Sequence, residues 1–341
     1  MHIQDRIKAF SALGQSIHTK LEDGSWDGPL SKAYFENQWF TQENSKAAIK
    51  SIATQYLDAG KIEAWLANYP LPDENNRPKT IGLVMAGNIP LVGWQDLMCV
   101  LVTGNKALVK LSSKDKTLPN LFINELLAIE PRFADQIQLT EAQLSGFDAI
   151  IATGSNNTQR YFEYYFGKYP HILRKNRNSL AILTGNESNV ELNALGEDIM
   201  AYFGLGCRNV SSLMVPPGYD FREFFEALEP WNNILEHNKY ANNYMYNKSL
   251  LLLNKEKHLD NGFLLLKEST ALATPVSVVN YQIYQNLEAA VQYVEANHAD
   301  IQCVVALPGV AEGAIHFGHT QSPGLSDYAD GVDVVGFLQT L

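Results

Sequence analysis

The stretch TIGLVMAGNIPLVGWQDLMCVLVTGNKALVKL, residues 80–111, decides the class of fold. It begins with a short apolar run of β-compatible residues and passes through a loop that contains Gly87, Pro90 and Gly93. An apolar helical segment and a second short strand, KALVKL, follow. A strand, a helix and a further strand in this order are typical of parallel α/β packing. The stretch therefore predicts an α/β protein.

The alternation of strands and helices continues along the chain. The pattern predicts helix LPNLFINELLAI, strands QIQLT and FDAIIATG, and a helix over 156–167. A second mixed α/β region has strand LAILT, helix ELNALGEDIMAYFGL, strand SSLMVPP, helix DFREFFEAL and strands GFLLLKE, VSVVNYQI and IQCVVALP. Before residue 80, segments such as SKAAIKSIATQYLDAGKIEAWLANY have apolar residues at helical spacing, which predicts a helical N-terminal arm. A chain of 341 residues is long enough for two packed domains.

Composition argues against several classes of function. The formal charge of −11 gives no general attraction to nucleic acids or anionic membranes, although it is compatible with a local basic site for a phosphorylated ligand. No run approaches the ~18 apolar residues of a membrane span, and the N-terminus lacks the apolar core of a signal peptide. We therefore expect a cytoplasmic protein without a nucleic-acid partner. The three cysteines are widely spaced, which favours reduced thiols, and Cys99 and Cys303 lie in apolar runs and are predicted core residues.

The third cysteine, Cys207, lies in FGLGCRNVSS, residues 203–212. An isolated cysteine is most often a buried apolar side chain. Here the preceding helix is expected to end at Gly204 or Gly206, and a short helix beginning near Arg208 would direct backbone N–H groups at the sulfur. Such donors lower a thiol pKa and stabilise an oxyanion, so Cys207 is a candidate nucleophile.

Asn88 follows the first strand in the loop VMAGNIPLVGW. An ordinary strand-to-helix turn explains this composition by itself. The side-chain amide of Asn88 is also a neutral donor that does not titrate, so it can stabilise a developing oxyanion. Both interpretations stay open on the sequence.

Two further loops follow predicted strands. Lys110 leaves the second strand ahead of Ser112 and Ser113, and positive and hydroxyl groups at the carboxyl edge of a parallel sheet suit a ribose or a phosphate. A solvated charged loop is the alternative. Gly154 and Ser155 follow strand FDAIIAT ahead of a helix whose first N–H groups suit a pyrophosphate. A serine N-cap explains the same residues.

Taken in this order, the four motifs resemble those of the aldehyde dehydrogenase superfamily, and most closely its fatty acyl-CoA reductase branch, known from bacterial luminescence. The resemblance runs from about residue 80 to the C-terminus. Asn88 matches the Asn-Phe-Pro motif, and Lys110 matches the lysine of Lys-Pro-Ser/Ala-Glu. Gly154-Ser155 matches the Thr-Gly-Ser turn, and Cys207 matches the nucleophile of Gly-Gln-x-Cys. TPVSVVNY and HFGHTQSPG resemble the Phe-Gly-Pro strand and the Phe-Gly-Gly segment.

Departures from the superfamily pattern narrow the expected activity. Ordinary aldehyde dehydrogenases carry a general-base Glu just before the second domain, where this chain has LRKNRNSLAIL. Without that base, the acyl group is expected to be exchanged with a thiol, not with water. Ser113 and Lys114 stand where NAD-preferring members place a Glu, so the resemblance implies NADP(H). The basic residues of the LRKNRNSLAIL segment either contact CoA phosphates or form an exposed solvated turn; they are Arg174, Lys175 and Arg177.

The resemblance implies an aldehyde dehydrogenase-like fold with two α/β domains. Its parts are a helical arm over 1–79, a nicotinamide-cofactor domain over 80–178, a catalytic domain over 179–310, and a C-terminal segment over 311–341 that returns to the domain interface. The implied activity is NADPH-dependent reduction of an acyl-CoA, or of an acyl-carrier thioester, to an aldehyde through an acyl-Cys207 intermediate. A homo-oligomer stays open.

Two other classes of function stay open as well. A cysteine acyltransferase or thioesterase would pair Cys207 with His316 or His319 in the HFGHT segment. A non-catalytic aldehyde dehydrogenase-like scaffold would bind only a nucleotide or a partner protein. A zinc site at the two histidines lacks an evident third ligand, so no metal is expected.

Overall fold

The computed structural model describes residues 1–154 and 156–341. These residues divide into two compact units. The first unit consists of Met1–Asn176 together with Pro323–Leu341, and the second unit consists of Arg177–Ser322. None of the helices in the described part of the chain is both long and apolar enough to cross a membrane.

The first unit begins with a helical region. Its helices are α1 (Ile3–Glu22), α2 (Asp27–Glu36), α3 (Gln42–Tyr56) and α4 (Ala59–Leu66). Thr41 and Asp58 cap the starts of α3 and α4 by accepting backbone N–H groups through their side chains. The apolar faces of these helices, with residues such as Phe10 and Leu13, belong to the same hydrophobic core as the strands that follow. The helical region is therefore packed onto the sheet of its own unit.

The sheet of the first unit is parallel. Its strands are β1 (Thr80–Val84), β2 (Lys106–Lys110), β3 (Ile137–Leu139), β4 (Ala149–Thr153) and β5 (His171–Arg174), in the order β3-β2-β1-β4-β5. Helices α5 (Trp94–Val102), α6 (Thr117–Ile129) and α7 (Asn156–Phe166) connect them. Since the chain passes from β1 to β2 on one side and later returns to place β4 on the other, β1 lies at a topological switch point.

The C-terminal residues complete the first unit. They form α12 (Val334–Gln339), whose buried residues include Val334 and Val335. The hydroxyl of Tyr328 accepts a hydrogen bond from Trp65 Nε1 at 2.8 Å and lies 2.8 Å from the hydroxyl of Tyr69. These contacts attach the C-terminal segment to the helical region around α4.

The second unit contains a mostly parallel sheet. Its strands are β6 (Asn178–Ile182), β7 (Val210–Val215), β8 (His258–Asp260), β9 (Leu265–Glu268), β10 (Val278–Ile283) and β11 (Ile301–Ala306). The order is β11-β6-β7-β10-β9-β8, and only β8 of these runs antiparallel to its neighbour. The surrounding helices are α8 (Asn189–Met200), α9 (Phe221–Leu228), α10 (Asn238–Leu253) and α11 (Leu287–Ala296). A capping box formed by Ser188 and Glu191 begins α8.

The α/β class expected from the sequence is confirmed, and most of the predicted strands and helices are present. Several local features differ from the expectations: α10, α11, α12, β5 and β8 are not among the predicted elements, and one predicted helix is absent. Strand β5 was not predicted, because HILR is short and is followed by the polar segment KNRN. The helix expected near Arg208 is absent: Cys207 and Arg208 form a turn that leads directly into β7.

Candidate active site

Three of the predicted site residues in the first unit lie at one edge of the sheet. Val84, the last residue of β1, pairs with Lys110 in β2 and with Ala152 in β4. The carboxyl ends of these neighbouring strands therefore coincide. Asn88 follows β1, Lys110 ends β2, and Gly154 follows β4, so the structure brings these three to the same edge. Ligands of open parallel sheets bind at this edge, next to the switch point.

The loop that carries Asn88 has an unusual backbone and a buried support. Asn88 is exposed, whereas Leu91 is buried and has a φ of 59°, in the left-handed region that non-glycine residues rarely adopt. The backbone N–H of Leu91 donates to Asp115 Oδ2 at 2.7 Å. A Cβ on Gly87 would lie 2.5 Å from Ser112 Oγ, so only glycine permits this close approach. The Asn88 loop therefore packs against the segment that follows β2.

Asp115 is the carboxylate beneath this loop. It is 4% exposed, and its Oδ1 has no hydrogen-bond partner among the described residues. Burial raises the pKa of Asp115 to about 7, against the lowering effect of the Leu91 N–H, with a further contribution from Glu36. The support of the Asn88 loop therefore titrates near neutral pH.

The predicted ribose or phosphate segment follows β2. The Lys110 Nζ donates to the carbonyl of Ala142 at 3.3 Å, and the half-buried Ser112 accepts the backbone N–H of Lys114 at 3.2 Å. Ser113 and Lys114 are exposed. These residues present hydroxyl and ammonium groups at the carboxyl edge of the sheet, and the one carboxylate among them, Asp115, is turned toward the Leu91 N–H.

Gly154 follows the last residue of β4 and precedes α7. A Cβ on Gly154 would lie 2.8 Å from the ring of Phe162, so glycine allows α7 to pack closely on the strand. Ser155, predicted with Gly154 to receive a pyrophosphate, lies outside the described residues. The close packing of α7 at Gly154 and the order of the strands are both compatible with a dinucleotide bound at this edge.

Arg174 does not form the exposed turn that its sequence context allowed. It is 4% exposed and donates two hydrogen bonds, of 2.5 and 2.9 Å, to the carboxylate of Asp96 in α5. Burial opposes its charge, but the pairing with Asp96 outweighs burial and raises the pKa of Arg174. Its guanidinium is therefore paired with Asp96.

The next two basic residues, Lys175 and Arg177, are half-exposed, and Arg177 donates to the carbonyls of His298 and Ile301 at 3.4 Å.

In the second unit, Cys207 is half-exposed on the turn between α8 and β7. Helix α8 ends at Met200 and is followed by a 3-10 segment, Ala201–Gly204. Tyr202 and Phe203 have φ values of 51° and 60°, and Gly204 has a φ of 74°. A left-handed conformation costs a non-glycine residue roughly 1–2 kcal/mol, so two adjacent aromatic residues there need support from their surroundings.

Asn209, which is 3% exposed, bonds to the backbone before and after these left-handed residues. Its Nδ2 donates to the carbonyls of Asp198 at 3.1 Å and Ala201 at 2.9 Å, and its Oδ1 accepts the N–H of Gly206 at 2.8 Å. The hydroxyl of Ser179, in the neighbouring strand, donates to the carbonyl of Cys207 at 2.9 Å. The backbone on both sides of Cys207 is thus held by buried polar side chains.

The HFGHT segment is attached to the same turn. The buried carboxylate of Asp198 accepts the backbone N–H groups of Gly318 at 2.7 Å and Thr320 at 3.0 Å. Arg208 Nε donates to the carbonyl of Thr320 at 2.8 Å. Burial raises the pKa of Asp198, although its N–H donors oppose this.

The exposed rings of His316 and His319 are 6.0 Å apart, and no group of side chains able to hold a metal ion occurs among the described residues.

The other two cysteines differ from one another. Cys99 is 0% exposed in α5, and burial raises the pKa of its thiol well above the usual value, so its assignment to the core is confirmed. The corresponding prediction for Cys303 is wrong, because Cys303 is half-exposed. It lies in β11, which is an edge strand of its sheet, and its Sγ is 2.9 Å from Ser179 Oγ.

Comparison with known sequences identifies the family. The sequence model described as "Acyl-CoA reductase (LuxC)" matches residues 60–237, more than half of the 341 residues. The matched range includes Asn88, Lys110, Gly154 and Cys207. The chain belongs to the LuxC acyl-CoA reductase family. The resemblance stated from the sequence is thereby confirmed, and no curated protein matches the chain. As a member of the LuxC family, the protein is an oxidoreductase whose chemistry involves an aldehyde.

Solved structures similar to this LuxC-family chain include aldehyde dehydrogenases. A putative aldehyde dehydrogenase from Burkholderia cenocepacia is 14% identical, with a TM-score of 0.65 over 90% of this chain and 74% of its own. Aldehyde dehydrogenase 21 from Physcomitrella patens, solved with succinate, is 12% identical, with a TM-score of 0.72 over 100% and 84%. An NADP-dependent glyceraldehyde-3-phosphate dehydrogenase from Bacillus halodurans C-125, solved with NADP, is 12% identical, with a TM-score of 0.63 over 90% and 74%. At these identities the likeness shows the fold.

Sequence reasoning missed the residues that support the two loops of this LuxC-family protein. Asp115 is within SSKDK and looks like one charge of a solvated loop, and Asp198 and Asn209 look like ordinary helix and turn residues. The one available signal was the Arg-Asn pair directly after Cys207, because asparagine side chains commonly bond to nearby backbone. The partners of these residues are set by tertiary contacts.

Proposed function

We propose that this LuxC-family protein reduces an acyl-CoA, or an acyl-carrier thioester, to an aldehyde with NADPH, through an acyl intermediate on Cys207. The observation that carries the proposal is the half-exposed Cys207 on a turn with left-handed residues, within the range that matches the family. A strained backbone persists only where its surroundings stabilise it, and such sites are often functional. In this proposal the first unit binds the cofactor and the second unit carries the nucleophile.

Cys207 and Asn88 perform the acyl transfer in this scheme. The Cys207 thiolate attacks the thioester carbonyl and forms a new C–S bond, which gives a tetrahedral oxyanion. The Asn88 amide and the backbone N–H of Cys207 donate hydrogen bonds to that oxyanion. The carbon–sulfur bond to CoA then breaks, CoA leaves as a thiolate that takes up a proton, and the acyl group stays on Cys207. Asn88 suits this role because the residue is exposed and its side-chain amide is a neutral donor that does not titrate.

The cofactor site of this proposal is the carboxyl edge of the first sheet. Lys110, Ser112 and Ser113 hold the ribose and its phosphate, and Gly154 with Ser155 receives the pyrophosphate. When bound, the nicotinamide supplies the hydride that reduces the acyl thioester. The resulting thiohemiacetal on Cys207 collapses to the aldehyde and regenerates the thiolate.

The preference for NADPH is supported by the residues after β2. Ser113 and Lys114 are exposed and place no carboxylate where a 2′-phosphate would be repelled. Related folds have been solved with either cofactor: the Bacillus halodurans enzyme with NADP, and a betaine aldehyde dehydrogenase from Staphylococcus aureus with NAD+. The choice in this chain therefore depends on its own side chains.

Transfer to a thiol, with no hydrolysis, is supported by the segment between the units. By the resemblance, relatives that hydrolyse the acyl-enzyme have a general-base Glu in this segment. In this chain β5 ends at Arg174 and is followed by Lys175, Asn176 and Arg177. None of these side chains is a carboxylate that would activate water. An acyl-cysteine would then wait for reduction or for a second thiol.

The test is to trap the intermediate. Incubation with an acyl-CoA and no cofactor should add one acyl mass to the wild-type chain and release CoA, and Cys207→Ala should abolish this. Cys303→Ala, which removes another half-exposed cysteine of the same unit, should acylate like wild type. NADPH should then discharge the acyl group as aldehyde, faster than NADH does.

Other outcomes would overturn the proposal. Steady thioester turnover with no oxidation of NADPH would identify an acyltransferase or thioesterase. Failure of any acyl group to attach to Cys207 would point to a binding scaffold. Equal rates with NADPH and NADH would contradict the roles given to Ser113 and Lys114.

A further inference from the structure

We propose, on the basis of the function proposed above, that Asn209 is a positioning residue that fixes the backbone on both sides of the Cys207 thiol. It does not touch the substrate in this proposal. Its side chain connects the end of α8 to the turn, so that the backbone from Ala201 to Arg208 is held as one piece. The position of Cys207 then depends on an amide two residues away.

The hydrogen bonds of Asn209 bracket Cys207. Ahead of the cysteine, the Oδ1 of Asn209 accepts the Gly206 N–H at 2.8 Å. The backbone N–H of Asn209 donates to the carbonyl of Gly206 at 3.1 Å, which closes the turn that contains Cys207 and Arg208. One residue therefore holds Gly206 through both its side chain and its backbone.

The same side chain completes the end of α8. A helix leaves its last carbonyls without intrahelical partners. Asn209 Nδ2 donates to the carbonyls of Asp198 at 3.1 Å, Ile199 at 3.4 Å and Ala201 at 2.9 Å. These bonds span the point where the chain leaves the helix for the left-handed conformation at Tyr202 and Phe203.

Other contacts support the same turn: the Ser179 hydroxyl donates to the carbonyl of Cys207 at 2.9 Å, whereas Asn209 bonds to the backbone before the cysteine and to the end of α8. The Phe203 ring stacks on His237, with centroids 4.2 Å apart. Asp198 and Arg208 attach the turn to residues 318–320. The role of Asn209 requires a donor and an acceptor on one short side chain, which aspartate lacks: a carboxylate there would face three carbonyl oxygens with a buried charge.

The discriminating variant is Asn209→Asp, which keeps the size of the side chain and removes its donor. Misplacing a reacting group by about 1 Å can cost ~100-fold in rate. We expect the acylation of Cys207 by an acyl-CoA to slow by ~10-fold to 100-fold, with the KM for NADPH unchanged. Alkylation of Cys207 by iodoacetamide, followed from pH 6 to pH 10 by peptide mass spectrometry, should show a displaced thiol profile. A purely structural residue would not move that profile.

The matched control is Asn280→Asp. Asn280 is 5% exposed in the same unit, and its Nδ2 donates to the carbonyl of Ala271 at 2.7 Å. Both variants should lower the melting temperature, but only the Asn209 variant should shift the reactivity of Cys207. If Asn209→Asp does not fold, Asn209→Ser provides the same comparison with one hydrogen bond retained.

The outcomes separate this inference from the proposed function. Wild-type protein that is alkylated at Cys207 but never acylated contradicts the proposed function, and the alkylation profiles still decide the role of Asn209. Wild-type protein that is acylated, with Asn209 variants that acylate and alkylate as Asn280 variants do, overturns the positioning role. A shift confined to the Asn209 variants supports it.

Discussion

The Asn88 loop, residues 85–93, and the Cys207 turn, residues 201–209, are both stabilised by buried polar side chains. Both contain non-glycine residues with a left-handed backbone: Leu91 in the loop, and Tyr202 with Phe203 in the turn. The loop is supported by Asp115, whose carboxylate accepts one backbone N–H. The turn is supported by an amide, that of Asn209, which donates to the end of α8 and accepts from Gly206.

The difference between the two supports has a chemical consequence. A carboxylate whose pKa is raised to about 7 changes its charge in the physiological range, whereas an amide does not titrate. We therefore expect the support that Asp115 gives to the Asn88 loop to vary with pH near neutrality, and the support that the Asn209 amide gives to the Cys207 turn to be constant there. Substitutions in the two regions should therefore have different effects, and each region provides a reference for the other.

The largest effect is expected for Asn88→Ala. Loss of one oxyanion donor typically costs about 10²–10³-fold in kcat, which is roughly 3–4 kcal/mol of transition-state stabilisation. Because Asn88 is exposed, the melting temperature should change little. Thioester reduction, measured by NADPH oxidation, is the readout, and Asn186→Ala, at another exposed asparagine in a turn, is the control.

Alkylation separates the roles of Asn88 and Asn209. Iodoacetamide reacts with a thiolate without forming an oxyanion, so Asn88→Ala should alkylate at Cys207 like wild type. Asn209→Asp should not. If Asn88→Ala slowed alkylation as much as reduction, Asn88 would act on the thiol environment and the assigned role would be wrong.

The next effect is a pH-dependent stability difference for Asp115→Asn. Burial raises the folded-state pKa of Asp115 to about 7, whereas the unfolded chain has an aspartate pKa near ~3.9. Between these values the unfolded state releases its proton and the folded state retains it, so Asp115 lowers stability as pH rises. Below both pKa values this contribution vanishes, and above pH 7 it is complete.

The measurement is urea unfolding of both proteins at pH 5 and pH 8. The stability of Asp115→Asn relative to wild type should increase by about 3 kcal/mol from pH 5 to pH 8. Asn209→Ala, which removes the amide from the turn, should have the same cost at both values. A constant difference for Asp115→Asn would show that its carboxyl is already ionised at pH 5.

The edge that gathers Asn88, Lys110 and Gly154 could be predicted from the sequence for a physical reason. Strands and crossover helices are visible as local patterns, and parallel strands must bring their carboxyl ends together. The fold class followed from the same alternation. These features depend on the backbone and on short stretches of sequence.

The details of the Cys207 turn could not be predicted in the same way. The left-handed backbone at Tyr202 and Phe203 is locally unfavourable, and the carbonyl of Ala201 just before it accepts a hydrogen bond from Asn209, which lies further along the chain. Local patterns predicted a helix near Arg208 instead. Arg174 looked exposed within LRKNRN because its partner, Asp96, is 78 residues earlier. Each of these errors comes from a contact between residues that are not neighbours in the local pattern.

The smallest effect concerns one glycine from each region, Gly87 and Gly204, which are required for different reasons. A Cβ on Gly87 would meet Ser112 Oγ at 2.5 Å, so the obstacle is space. Gly204 has a φ of 74° and its Cβ would approach nothing closer than the Ile199 carbonyl at 3.3 Å, so the obstacle is mainly conformation. Each alanine variant should lose roughly 1 kcal/mol of stability.

Second substitutions distinguish the two causes. Ser112→Gly should recover most of the stability lost in Gly87→Ala, because it removes the atoms that the new Cβ would meet. Gly204→Asn should cost less than Gly204→Ala, because asparagine tolerates the left-handed region. Urea unfolding of the single and double variants measures both. Additive effects of Gly87→Ala and Ser112→Gly on stability would mean that the Asn88 loop can move away from Ser112. The tight packing between Gly87 and Ser112 would then be wrong.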